Sequence, residues 1–161
     1  MRRMFLGLAL VVCFATLPAF GGMLFVATLE GAQEVPPNLS PATGSAMVML
    51  NDTEDMVMVS VHFSGLTAPE TGKHIHGPAM PGVNAGVLLA LPAGEFDHFM
   101  AAASAELVAH LKAGHTYVNI HSQNYPGGEI RGQLQAVPEP GAVALMLTGV
   151  TGLLVFRRRR K

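Results

Sequence analysis

The 161-residue chain is half hydrophobic by residue type and only 13% charged. That excludes intrinsic disorder, which needs low hydrophobicity and high net charge. Arg2 and Arg3 open the chain and Arg157, Arg158, Arg159, Arg160 and Lys161 close it, while Lys73, Lys112 and Arg131 lie between, together with all eleven acidic residues. An acidic centre of this kind excludes a basic nucleic-acid-binding face, and the length allows one domain.

Residues 1–21 read as a signal peptide. Two arginines precede an apolar run from Met4 to Leu17, and small residues follow at Ala19, Gly21 and Gly22. A basic start, a short greasy run and a small-residue cleavage site are what a secretory signal requires, with signal peptidase as the processing partner. Cys13 does not mark a lipoprotein, because Val11 and Val12 are too large for the residues that precede a lipidated cysteine.

The far end mirrors this arrangement. Gly141 to Phe156 carries no charge and is followed by the basic tail, Arg157 to Lys161. Sixteen helical residues would span roughly 24 Å, slightly less than a typical hydrocarbon core. Helices of that length are accommodated by local bilayer thinning and by flanking groups. Cationic ends at both termini are expected to stay cytoplasmic, which leaves the acidic centre outside. Val137-Pro138-Glu139-Pro140, the short apolar segment and the terminal arginine cluster together resemble the PEP-CTERM sorting signal over residues 137–161. The resemblance implies an exosortase-type processing enzyme cutting near Pro138-Glu139-Pro140. A transient membrane anchor at 141–156 and delivery to the cell surface or extracellular matrix would follow.

Residues 22–136 remain as the working domain. About 115 residues bury a sufficient core without covalent staples. Cys13 is the chain's single cysteine and leaves with the signal peptide, so no disulfide is expected despite export. Apolar residues alternate with period two. Met23–Leu29 and Val87–Leu91 are strand candidates, and Ala46, Val48 and Leu50 share one face of a third. Val57, Val59, Val61 and Phe63 do the same on a fourth. Thr116, Val118 and Ile120 oppose Tyr117, Asn119 and His121, and Ile130, Gly132 and Leu134 oppose Glu129, Arg131, Gln133 and Gln135. Asn51 to Asp55 reads as a polar hairpin loop. Ser104 is suited to cap a helix whose apolar face is Leu107, Val108 and Leu111, and Gly114 is suited to end it. The expected fold is all-β. It is an antiparallel, Greek-key-like β-sandwich of seven short strands, superoxide dismutase-like or immunoglobulin-like, with one short helix.

His74 and His76 occupy alternate positions of a seventh strand and so point the same way, their Cα atoms about 6.5–7 Å apart. Two imidazoles at that spacing converge on one metal ion. Asn119 and His121 share a face of a distant strand, and Glu129 and Arg131 share a face of the last one. If these strands are neighbours, all six residues form one polar patch. Three imidazoles suit zinc or copper. The opposing interpretation is solvated histidines beside a Glu129–Arg131 ion pair. His62, His98, His110 and His115 lack comparable spacing and are expected at the surface. Ser122 adjoins His121 but faces the other way, so the two do not form a catalytic dyad.

The segments His74-Ile75-His76-Gly77-Pro78-Ala79, Gly86-Val87, Gly114 to Ser122 and Pro126 to Gln133, with Ala27 to Pro37 ahead of them, resemble the CHRD domain over residues 26–135. That domain is named from chordin and also occurs in bacterial exported proteins. The His-x-His strand is also similar to Cu,Zn superoxide dismutase. The chain departs from that enzyme in lacking its paired cysteines, a bridging histidine with its aspartate, and basic residues to draw in an anion, apart from Arg131. The expectation is an exported surface or matrix protein whose CHRD domain binds or builds without catalysis, with extracellular polysaccharide or surface proteins as partners and no nucleic acid. Tyr117 and Tyr125 are its candidate sugar-stacking aromatics. The alternative is a His-based copper or zinc protein, oxidoreductase-like, using His74, His76 and His121.

Overall fold

The computed structural model describes residues 22–138. Residues 1–21, read above as a signal peptide, Glu139 and Pro140 of the expected sorting motif, the apolar segment 141–156 and the basic tail lie outside the described residues, while Pro138 is exposed at their edge. Among the described residues no helix is long and apolar enough to cross a membrane.

Among the described residues nine strands form one antiparallel sheet that curls on itself, and a single α-helix accompanies it. The strands are β1 (Met23–Glu30), β2 (Thr43–Leu50), β3 (Met56–Ser64), β4 (Glu70–His76), β5 (Val87–Ala90), β6 (Phe96–Ala102), β7 (Tyr117–Ser122), β8 (Ile130–Gln133) and β9 (Gln135–Ala136). Their order across the sheet is β5-β4-β7-β8-β1-β2-β3-β6, with β9 also paired to β1. One half is the β1–β2–β3 meander with β6 added at its edge. The other half holds β4, β5, β7 and β8. Between β1 and β8 the pairing is a single position, Glu30 opposite Arg131, and the sheet turns there.

Period-two alternation decides which face is buried. Phe25, Ala27 and Leu29 of β1, Val48 and Leu50 of β2 and Val57, Val59 and Val61 of β3 face Ile75, Val118, Ile120 and Ile130 of the other half in one core. The helix α1 (Ala105–Lys112) closes that core with Leu107, Val108 and Leu111. The Ser104 side chain accepts the Leu107 N–H at its start. At its end Gly114 adopts φ +71° while His115 N–H returns to His110 O and Gly114 N–H to Leu111 O. This paired closure satisfies the last carbonyls and favours glycine in the left-handed position.

The all-β expectation with one short helix therefore holds, and two strands are added to the seven. β6 is hidden in the sequence because a bulge opposite Val59–Val61 breaks its period. His98 sits in that bulge at φ +58°. Phe96 and Phe99 then both pack on the core, at a spacing of three rather than two. The run from Ile130 to Gln135 is not one strand but two, because the chain changes partners. Leu134 N–H still bonds Thr116 O beside β7, whereas Gln135 and Ala136 pair with Val26 and Phe25. Lys73 points inward and is 1% exposed. Its ammonium bonds Gly94 O, lies 3.6 Å from Glu70, and stands 4.7 and 4.8 Å above the Phe63 and Phe96 rings.

Candidate metal centre

β4 and β7 are direct neighbours, so the two histidine-bearing segments meet. His74 lies opposite Asn119, His76 opposite Tyr117 and Gly72 opposite His121. His74 and His121 are thus diagonal across the strand pair, on the face away from the core. Gly72 makes room for this. A Cβ at that position would lie 3.2 Å from His74 Cε1, tighter than a side chain ordinarily tolerates. The ring centroids are 5.4 Å apart for His74–His76, 5.2 Å for His74–His121 and 5.9 Å for His76–His121. One ring nitrogen from each falls within 4.8 Å of the other two.

The remaining nitrogens show how the rings are held. His76 Nδ1 lies 3.0 Å from Ala85 O, and His121 Nδ1 lies 2.9 Å from Pro126 O. A carbonyl only accepts, so each Nδ1 is the protonated nitrogen and each Nε2 carries a lone pair. His76 Nε2, His121 Nε2 and His74 Nδ1 are all buried and have no hydrogen-bond partner. Leaving one such atom unsatisfied costs about 1–3 kcal/mol, and here three are gathered at one place. Burial holds His74 and His76 below the usual imidazole range, and the neighbouring histidines push the same way. The neutral ring, which is the ligand form, is therefore favoured.

A surrounding layer fixes the centre. The Tyr117 ring stacks on His76 at 5.0 Å and 6°, and the Arg131 guanidinium sits 4.6 Å from the centre of the same ring. Tyr117 Oη accepts the Ala85 N–H at 3.1 Å, so the residue that anchors His76 is itself tied to β7. Arg131 donates to Gln33 O at 2.5 Å and to Asn84 Oδ1 at 2.9 Å.

The six-residue patch assembles in part. His74, Asn119 and Arg131 lie in one cross-strand row. Glu129 precedes β8, and its carboxylate accepts from Ser40 Oγ and Thr67 N at 2.7 Å each rather than from Arg131. The carboxylate that feels the charge of Arg131 is Glu34, 4% exposed and with Oε1 unpartnered. Glu34 Oε1 and the Asn119 amide both crowd the space beside Gly128. Burial pushes the Glu34 carboxyl up to about 7, against the opposing pull of Arg131 and a backbone N–H. Sequence periodicity could not find Glu34, because it follows a short 3-10 turn, Gly31–Gln33, outside any strand. Tyr117 is 3% exposed and cannot offer its face to a sugar. His62 and His98 are exposed as expected, and His110 and His115 are half-buried. Ser122 is fully buried on the core side, turned away from His121.

An all-β module with three converging imidazoles on its outer face is the class of protein these observations define. The CHRD domain family profile matches residues 25–134, and the chain belongs to that family. Neither the curated proteins nor the solved structures gave a significant match.

Proposed function

We propose that this chain is an exported CHRD module that binds one transition-metal ion, copper or zinc, through His74, His76 and His121. The observation that carries the reading is the convergence of three buried, unpartnered imidazole nitrogens, two of them on rings whose other nitrogen is held by a backbone carbonyl. Orientation by an outer hydrogen bond is how proteins present histidine to a metal. Tetrahedral bonds of about 2.0–2.1 Å place ligand nitrogens roughly 3.3 Å apart, so small ring rotations complete the set. Three protein ligands leave a fourth position for water or a partner's donor group.

The role is binding or structural rather than catalytic. Arg131 is committed to Gln33, Asn84 and the Tyr117 ring, which leaves it poorly placed to draw an anion to the ion. A metal-linked contact to extracellular polysaccharide or a surface protein fits both the open position and the acidic centre. The PEP-CTERM-like end, residues 137–161, supports export, exosortase processing and surface delivery.

Intact mass and metal content of the protein recovered from its native host test both halves of this reading. About one copper or zinc per chain is expected, with a mass lacking residues 1–21 and the segment after Pro140. Metal-free protein that also takes up neither ion on titration would remove the metal centre. An uncut chain among dissolved intracellular proteins would remove export.

A further inference from the structure

The outer face of the other half of the sheet carries a second cluster of donor atoms. Five of the ten methionines fall there, at positions 47, 49, 56, 58 and 100. On β2, Met47 and Met49 alternate with buried Ala46, Val48 and Leu50. On β3, Met56 and Met58 alternate with buried Val57 and Val59. The register then aligns them. Met49 lies opposite Met58, and Met58 lies opposite Met100 of β6. Three thioethers therefore stand in one row across three adjacent strands. Directly opposed residues have Cβ atoms about 4.5–5.5 Å apart, and each methionine has three rotatable bonds with which to close that distance. The row lines a concavity of about 330 Å³ together with Met56, Asn51, Asp52 and Gly22. Met100 is 54% exposed, so the concavity opens to solvent.

Sheet faces are ordinarily filled by β-branched and aromatic residues. A row of sulfurs in register is chemically different. Thioethers are soft, neutral donors that select monovalent copper over zinc and the hard cations. No cysteine is present among the described residues, so methionine supplies the soft donors there. We infer that Met49, Met58 and Met100 form a second metal site, specific for a soft monovalent cation, Cu(I) in the cell, on the opposite half of the sheet from the histidine centre. Asp52 at the rim contributes negative charge toward a cation.

The site is independent of the histidines, and the test keeps the two apart. The probe is Ag(I), a redox-inert stand-in for Cu(I), added to the full-length chain carrying Cys13→Ser, which removes the thiol, together with His74→Ala and His76→Ala. One retained equivalent of Ag(I) is expected after desalting. The labelled methyl signals of Met49, Met58 and Met100 are expected to shift together in the NMR spectrum. In the same background, Met49→Leu/Met58→Leu/Met100→Leu is expected to lose that equivalent while its circular dichroism is unchanged, because leucine keeps the apolar volume and removes the sulfur. If the triple variant unfolds, Met58→Leu alone, which deletes the central donor, is expected to lose the joint shift of the two remaining methyls. Absence of bound Ag(I) in the His-deleted chain overturns the proposal and leaves the face as an apolar contact surface. Equal Ag(I) binding by a folded leucine variant overturns it as well.

Discussion

Replacing His74 and His76 together by alanine is expected to abolish binding of zinc and divalent copper. Two of three ligands disappear, so the loss exceeds the roughly 10–100-fold that removal of an outer hydrogen-bond partner costs. The effect is visible in stability too. An ion that binds the folded chain at a hundred times its Kd adds about 2.7 kcal/mol, or roughly 10 °C in Tm for a domain of this size. Thermal unfolding with and without zinc should show that rise in the unmodified chain and none in the variant. Without metal, the variant is expected to melt near the unmodified apo chain, because the substitutions also remove two buried nitrogens that have no partner. An equal zinc-dependent rise in both chains would exclude these histidines as ligands.

Glu34→Gln is expected to stabilise the domain at alkaline pH and to do little in acid. Burial pushes the folded carboxyl up to about 7, from its ordinary value of 4.5. Below the unfolded value both states are protonated, and the buried group carries no penalty. As the pH rises from 4.5 through 7 the unfolded carboxyl ionises first, so stability is lost across that window. The loss is complete above the folded value and amounts to about 3 kcal/mol. Glutamine has nearly the shape of the protonated acid and no charge to bury, so urea unfolding should show the variant gaining up to that amount at pH 8 and almost nothing at pH 4. A pH-independent difference between the two chains would show that Glu34 is ionised at little cost, held by Arg131 and solvent.

Much of the sheet is legible in the sequence because its strands keep period two over a one-sided core. β2 alternates in residue type and in burial, β3 and β7 keep apolar residues at every second position although Ser60, Tyr117 and Asn119 are buried as well, and the Ser104 cap and Gly114 stop bound the helix on local chemistry alone. β6 is not legible, because the bulge at His98 replaces period two by a spacing of three. The break at Leu134 is not legible either, since a change of strand partner leaves no mark on the hydrophobic pattern.

The site divides along the same lines. His74 and His76 are paired by their own spacing, and His121 joins them only because β4 and β7 are adjacent, which period alone does not fix. The ion pair between Glu129 and Arg131 does not form, because the Glu129 carboxylate is taken by Ser40 and Thr67. Glu34, the acid that does feel the charge of Arg131, lies almost a hundred positions away in sequence, and only the folded chain brings the two together.

X-ray absorption at the zinc edge, on the zinc-loaded chain, tests the central claim most directly. The account predicts a four-coordinate ion with three imidazole scatterers at about 2.0–2.1 Å, and no zinc retained by His74→Ala/His76→Ala. A shell built of oxygen, unchanged by that substitution, would contradict it.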